Sequence, residues 1–226
     1  DSNIKKLLEM GVYCQEESFD SVGKNKGWHV KIKNPECSTF DIYQNKKLRG
    51  SINWNLIGEH NKKNALATFV MAISLGLKGQ QISKSLSAFK GTARRMEMIG
   101  EKNSISVYDD FAHHPTAIKY TLDGLRKKVG SQKIVCLLEM RSNTMSSGYH
   151  DKAIPKSLED ADRVFLFSKN QDQIEKIAKR SKKFSTCSGT REFLDLLPEL
   201  NESNTHIICL SNGSFDQIHH AILERL

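Results

Sequence analysis

The sequence lacks the marks of a secreted or membrane-spanning protein. Its five cysteines (Cys14, Cys37, Cys136, Cys187 and Cys209) form an odd set without a C-x-x-C pair. That argues against a disulfide framework or a zinc ribbon and for thiols in a reducing cytoplasm. No uninterrupted apolar run approaches the roughly 18 residues that a membrane span needs. The opening DSNIKKLLEMG has no basic n-region, no long apolar stretch and no small-residue cleavage site, so no signal peptide is read. It also lacks an initiating Met, as a cut chain would. There is no internal repeat and no low-complexity linker. The net charge of +8 raises nucleic-acid binding. The lysines of KKLLEM, LRKKVG and IAKRSKK, however, lie on helical faces without interleaved exposed aromatics, so they read as solvated surface, with neither nucleic acid nor membrane as partner.

What is present is a soluble globular composition, 38% apolar and 27% charged over 226 residues, enough for one large or two small domains. Residues 4–10 read as a short helix. WHVKI, STFDIY and GSINWNLI then alternate like strands, with turns at Asn34-Pro35 and Asn45-Lys46, which predicts a small antiparallel meander. Residues 64–77, NALATFVMAISLGL, are apolar around most of the circumference and predict a buried helix. KGQQISKSLSAF predicts a shorter one with Ile82, Leu86 and Phe89 on a single face. From about residue 91 the texture changes. ISVY, KIVCLLE, RVFLF, KFSTC and HIICL alternate with helical stretches at 115–128, roughly 146–160, 171–181, 190–197 and 215–225. Such alternation predicts βαβ units in a Rossmann-like, mostly parallel sheet covered on both faces. A boundary is therefore placed near residue 90, giving regions 1–90 and 91–226.

Polar residues concentrate at a few element junctions. VYDDFAHHPTAI carries Asp109, Asp110, His113 and His114 between a strand and a helix that Pro115 can open. The carboxyl end of a strand is where open α/β sheets bind ligands. There an aspartate suits ribose hydroxyls, and a histidine suits an anion or an amine proton; a metal cluster is conceivable from the same pattern. GEHNKKNA places His60, Asn61 and Asn64 at the start of the apolar helix, the two asparagines three apart and able to share one side. Their amides match the donor–acceptor edge of adenine, although helix capping would use them equally well. Arg94 and Arg95 offer phosphate forks near the boundary or a surface pair. Glu139, Arg141, Ser142 and Asn143 follow the next strand and repeat the geometry of the Asp-His loop. SNG at 211–213 makes a small turn after the last strand.

In this order, G-x-H-N-x-x-N-A, A-R-R-x-E, D-D-F-A-H-H-P-T-A-I, R-S-N-T-M and S-N-G-x-F resemble the ATP-dependent Mur ligases of bacterial cell-wall synthesis. DDFAHHPTAI together with RSNTM leans toward the member that joins L-Ala-γ-D-Glu-meso-diaminopimelate to UDP-N-acetylmuramate in peptidoglycan recycling. The resemblance implies a cytoplasmic enzyme using ATP and Mg2+ through an acyl phosphate. Nucleotide contacts are then implied at His60, Asn61, Asn64, Arg95 and Asp110, peptide contacts at Arg141, Ser142 and Asn143, and proton transfer at His113 or His114. No protein metal ligand is assigned. Residues 1–90 would be the later part of an α/β ATPase domain and 91–226 the C-terminal domain.

Two departures qualify the resemblance. Met140 stands where the family pattern usually has proline. No G-x-x-x-x-G-K-[ST] occurs: Gly23-Lys24 in SVGKNKG lacks both the upstream glycine and the following hydroxyl residue. The phosphate cradle and most magnesium ligands are therefore expected outside this chain, which would be an inactive-alone C-terminal portion. Ligation of L-alanine to UDP-N-acetylmuramate, a non-catalytic nucleotide-binding module and metal-dependent hydrolysis remain the alternatives.

Overall fold

The computed structural model describes residues 2–12, 19–20, 27–200 and 202–226. Cys14 and the Gly23-Lys24 pair lie outside the described residues. The chain divides into two units, Asp1–Trp54 with Asn61–Phe89, and Asn55–His60 with Lys90–Leu226. The segment 55–60, read from the sequence with the first region, thus groups with the second unit.

The first unit holds helix α1 (Ser2–Glu9), the two-residue β1 (Phe19–Asp20), and strands β2 (Trp28–Ile32), β3 (Thr39–Gln44) and β4 (Lys47–Asn53). β2, β3 and β4 form the expected antiparallel meander, and β1 adds in parallel to β2. The β3–β4 turn is Asn45-Lys46, with Asn45 left-handed at φ 55°. At the β2–β3 connection the Asn34 side chain donates to Glu36 and Ser38 and accepts from the Thr39 amide. Helices α2 (Glu59–Ser74) and α3 (Gly79–Ala88) follow. Trp28 meets Phe69 edge-on at 6.1 Å, and Phe40 meets Trp54 at 5.9 Å, the tilted geometry aromatic rings prefer. Gly50 permits this packing, since a Cβ there would fall 2.6 Å from the Phe69 ring and 2.4 Å from Ser83.

Two expectations fail here. α2 buries Ala65, Leu66, Phe69 and Val70 but exposes Met71, and Leu75 and Leu77 beyond its end are exposed as well, so the stretch makes one buried stripe rather than a buried circumference. Phe89 does not share the Ile82 face; it ends α3 in extended backbone and is exposed.

In the second unit, β5 (Glu97–Lys102), β6 (Ile105–Asp110), β7 (Lys133–Glu139), β8 (Arg163–Phe167), β9 (Phe184–Cys187) and β10 (Thr205–Leu210) form one sheet in the order β5-β6-β10-β7-β8-β9. All neighbours are parallel except β5–β6. The five foreseen runs are therefore all strands. β5 was unforeseen, because EMIGEK is half-exposed and weakly apolar. It is joined to β6 by Asn103-Ser104, both left-handed, as a two-residue hairpin turn requires. β6 is buried at every residue and β7 at its central five, the texture of strands covered on both faces.

Helix α4 (Pro115–Val129) starts where His114 caps it, with Pro115 in the first turn. It lays Ile118, Thr121, Leu122 and Leu125 on the sheet, at helical spacing. Truncating Leu122 to Ala would cost ~2–5 kcal/mol. The helix expected at roughly 146–160 is instead two single turns, α5 (Asn143–Ser146) and α6 (Ile154–Ser157). Between them Gly148 takes φ 80°, which breaks a helix, and Pro155 lacks the amide that would continue one. α7 (Gln171–Ala178) completes this face with α4 and α6. α8 (Thr190–Leu196) and α9 (Ile218–Arg225), which follows a 3-10 turn at Phe215–Gln217, cover the other face with Phe193, Phe215, Ile218 and Ile222. Cys136, Cys187 and Cys209 are buried in these cores, where burial raises their thiol pKa values.

Candidate functional site

β10 lies between β6 and β7, and the helices after β6 and β10 go to opposite faces. The carboxyl ends of β6, β10 and β7 therefore border the crevice that this topology opens. Asp109 and Asp110 end β6 with alternating side chains. Asp110 is 4% exposed. Its Oδ2 accepts the Met96 amide at 2.6 Å, and its Oδ1 accepts the Ala112 amide at 2.8 Å and the Thr121 hydroxyl at 3.3 Å. Burial nevertheless raises its pKa above the ordinary carboxylate value, against those hydrogen bonds and the Arg95 charge. A carboxylate offers about four acceptor sites, so three donors leave one open. Asp109 binds Arg94 Nε at 2.8 Å, while Arg94 Nη2 donates to the Ser211 carbonyl at 2.8 Å. Arg94 is thus no surface arginine; it ties β6 to the loop after β10. Arg95 lies over the Phe111 ring at 5.5 Å.

The two adjacent histidines differ. His113 Nδ1 is 2.9 Å from the Phe111 carbonyl. A carbonyl only accepts, so the proton sits on Nδ1, and Nε2 of the neutral ring presents a lone pair. His114 Nδ1 accepts the Thr116 amide at 3.2 Å, so its proton sits on Nε2. His114 meets His150 edge-on at 4.6 Å. Desolvation, with the His114 charge, lowers the His150 pKa. Only His113 offers a free basic nitrogen in this tautomer.

At the end of β7, Glu139 accepts a very short hydrogen bond from the Ser211 hydroxyl, which in turn accepts the Gly213 amide at 2.8 Å. Arg141 rests against Gly213 so closely that a Cβ there would fall 1.8 Å from Nη1. A methyl there would push this exposed guanidinium out of its present place. Ser142 Oγ and Asn212 Oδ1 are buried without a hydrogen-bond partner among the described residues, a cost that a ligand at this edge would relieve. Asn143 is exposed and opens α5.

His60 packs near the Tyr120 ring of α4, centroids 6.5 Å apart. Burial lowers its pKa, Asp110 opposes this, and Arg95 adds to it. Asn61 and Asn64 stand in the first two turns of α2, the former half-buried and the latter exposed. The structure brings Asp110, His113, His114, Arg141, Ser142 and Asn143 to one sheet edge of the second unit, where sequence reasoning put them, and Arg95, read only as lying near the boundary, joins them over Phe111. Sequence reasoning missed the Arg94–Asp109 pair and the seat of Arg141 on Gly213, for neither of which does local sequence give a signal. Among the described residues no group of three or more His, Cys, Asp or Glu side chains could hold a metal, which removes the basis for a metal cluster in D-D-x-x-H-H.

An open, mostly parallel α/β sheet with a polar crevice at its carboxyl edge defines a ligand-binding domain of the doubly wound kind. Residues 94–213 match the Mur ligase glutamate ligase domain, and the chain belongs to the Mur ligase family. It is 35% identical, over its whole length and 50% of the relative, to the UDP-N-acetylmuramate–L-alanyl-γ-D-glutamyl-meso-2,6-diaminoheptandioate ligase of Escherichia coli K12. Over 52% of this chain it is 44% identical to a UDP-N-acetylmuramate–L-alanine ligase of Clostridium acetobutylicum, covering 25% of that protein. A murein peptide ligase from Psychrobacter arcticus superposes with TM-score 0.63 at 31% identity, covering 88% of this chain and 44% of that one. The chain thus spans about half the length of the E. coli relative.

Proposed function

We propose that this chain is the peptide- and adenosine-recognising portion of an ATP-dependent ligase joining L-Ala-γ-D-Glu-meso-diaminopimelate to UDP-N-acetylmuramate. Residues 1–90 would be the later part of the ATPase domain and 91–226 the C-terminal domain. The observation that carries the reading is Arg141 against Gly213, flanked by the Ser142 hydroxyl, which is buried without a partner among the described residues. Similarity over this whole chain to half of a ligase of that name supports it.

ATP, as co-substrate, supplies the phosphoryl group that turns the UDP-N-acetylmuramate carboxylate into an acyl phosphate. Taking each unit by itself, side chains of suitable chemistry can be assigned to the adenosine half of that molecule. Asn61 and Asn64 offer paired amide donors and acceptors for adenine, His60 lies beside them in sequence, and Asp110 keeps one acceptor site for a ribose hydroxyl. Arg95 would balance phosphate charge. Mur ligases in general require magnesium, but the described residues hold no metal cluster, so no step is assigned to the ion here. Arg141, Ser142 and Asn143 orient the incoming peptide. His113 Nε2 takes the proton that its amine must lose on attack, since its Nδ1 is held by the Phe111 carbonyl and Nε2 carries the lone pair of the neutral ring. His114, with Nε2 protonated, donates to the negative charge that develops on the tetrahedral intermediate, whose collapse to the amide breaks the acyl C–O bond and releases inorganic phosphate. The UDP-sugar and peptide are small molecules of the cytoplasm, where such an enzyme would work.

The test uses the full-length enzyme with Arg141→Ala. Loss of about 100-fold in kcat/KM for the tripeptide, with ATP affinity retained, is expected from losing charged hydrogen bonds. An unchanged kcat/KM refutes the assignment. The local match to an L-alanine ligase favours a second reading, in which the amine is free L-alanine. Offering both amines to the wild-type enzyme decides between them.

A further inference from the structure

On the α9 face of the sheet, beside the crevice, a cavity of about 640 Å3 lies between β5 and the start of α9. Its volume is that of a small-molecule pocket. Arg94, Glu97, Asp109, Gln217, His219 and His220 supply its polar lining, and Met98 an apolar wall. Much of the polar set is already committed. Asp109 is neutralised by Arg94 at 2.8 Å, and Glu97 Oε2 takes the Arg94 amide at 2.7 Å. Glu97 keeps its second oxygen, which leaves the cavity one carboxylate in excess. Arg94 keeps Nη1, since Nε and Nη2 go to Asp109 and Ser211. His220 stands exposed at the rim, 4.4 Å from the His219 ring. His219 itself is buried, and its Nδ1 has no hydrogen-bond partner among the described residues.

The rim is strained. Phe215, Asp216 and Gln217 are three successive non-glycine residues in left-handed backbone, φ 48°, 49° and 57°. L-residues rarely adopt that conformation in series, and such strain concentrates at ligand clamps. It is held in place by Phe215, which packs on Phe167 at 4.9 Å. Gly213 forms another part of the wall and is also the seat of Arg141. Through that shared glycine a peptide at Arg141 would come within reach of this cavity.

We infer that the cavity receives the zwitterionic end of an α-amino-acid side chain, its ammonium on Glu97 and its carboxylate on Arg94 Nη1 and His220. The inference rests on the proposed peptide-ligase function and makes this cavity the determinant of the third residue of the peptide. Meso-diaminopimelate carries such an end, lysine lacks its carboxylate, and a pimelate analogue lacks its ammonium.

The experiment measures kcat/KM of full-length enzyme for three tripeptides differing only in that residue. For wild type we expect diaminopimelate to be preferred about tenfold or more over each analogue, the scale of one hydrogen bond to a charged group. Glu97→Gln should collapse the preference over the pimelate analogue. His220→Ala should collapse the preference over lysine; it lies on an exposed helical surface and should fold even if Glu97→Gln does not. Preferences unchanged in folded His220→Ala overturn the inference while the ligase reading stands. A wild-type enzyme that ligates none of the three peptides overturns both.

Discussion

The two ends of the six-stranded sheet differ in how many of their polar residues are committed to the fold. At the amino end, charged side chains close the structure on itself. Arg126 donates to the carbonyls of Gly130, Gln132 and Asp160 and pairs with Asp162 at 2.6 Å. Asp162 accepts the Ile134 amide that opens β7. Lys183 bonds the carbonyls of Leu158, Glu159 and Ala161, and Lys102 reaches the Leu223 carbonyl. At the carboxyl end Arg94, Asp109, Asp110 and Glu139 are likewise paired within the protein, but other polar groups are not. Ser142 Oγ and Asn212 Oδ1 lack partners among the described residues, Arg141 is positioned by a glycine rather than by an acid, and His113 Nδ1 is occupied so that Nε2 is not. Both edges use polarity for stability, and the carboxyl edge in addition holds Arg141, Ser142, Asn212 and His113 Nε2 ready for a ligand. The same residue types therefore predict different phenotypes according to the edge on which they sit.

The sharpest way to break this comparison is Gly213→Ala. The added methyl displaces the Arg141 guanidinium, and Gly213 does not require positive φ, so alanine itself is tolerated. Tripeptide kcat/KM should fall about 100-fold. The melting temperature should move by no more than about 2 °C. A fall in stability with kcat/KM per folded molecule unchanged would show that this edge is as structural as the other.

Arg126→Met at the amino end should do the converse. It strands several carbonyls and the Asp162 carboxylate, costing ~1–3 kcal/mol, which for a chain of this size lowers the melting temperature by several degrees, about 2–4 °C per kcal/mol. Kinetic constants per folded molecule should stay at wild-type values. Thermal denaturation alongside steady-state assays separates the two outcomes.

How far this contrast was legible in the sequence depends on how local its causes are. The alternation of apolar runs and helical stretches foretold β6 to β10, because parallel strands buried on both faces leave continuous runs such as KIVCLLE. The proline after Asp109, Asp110, His113 and His114 located the first loop of the crevice. What stayed hidden was set by distant partners. β5 is a strand because β6 pairs with it, not because EMIGEK is apolar. Arg94 reads as one of two surface arginines until the fold brings Asp109 to it. Gly213 reads as an ordinary turn glycine until Arg141 arrives from another strand. Helix 146–160 failed for a local reason that was visible, the Gly148 and Pro155 interruptions. The strained 215–217 turn had no signal, since its sequence FDQ contains no glycine.

The smallest expected difference between the edges is in pH dependence. Burial raises the Asp110 pKa at the carboxyl edge. At the amino edge, His206, which bonds Gln132 through Nε2 at 2.7 Å, has its pKa lowered by burial and by Lys128 and Arg126, against Glu101. A raised Asp110 binds more proton folded than unfolded between its ordinary value of 3.8 and the folded value. Its contribution is therefore fully present below 3.8 and is lost as pH climbs through the folded pKa. His206 works in the opposite sense. From its ordinary value of 6.5 down to the folded pKa the unfolded chain binds more proton, so stability falls as the solution is acidified. Melting temperatures of wild type, Asp110→Asn and His206→Gln across pH 4–7 should show this by difference. Asp110→Asn removes a component that declines with rising pH, and His206→Gln removes one that grows. Difference curves of the same slope would mean that the two edges do not hold their titrating groups in the distinct ways their hydrogen bonding implies.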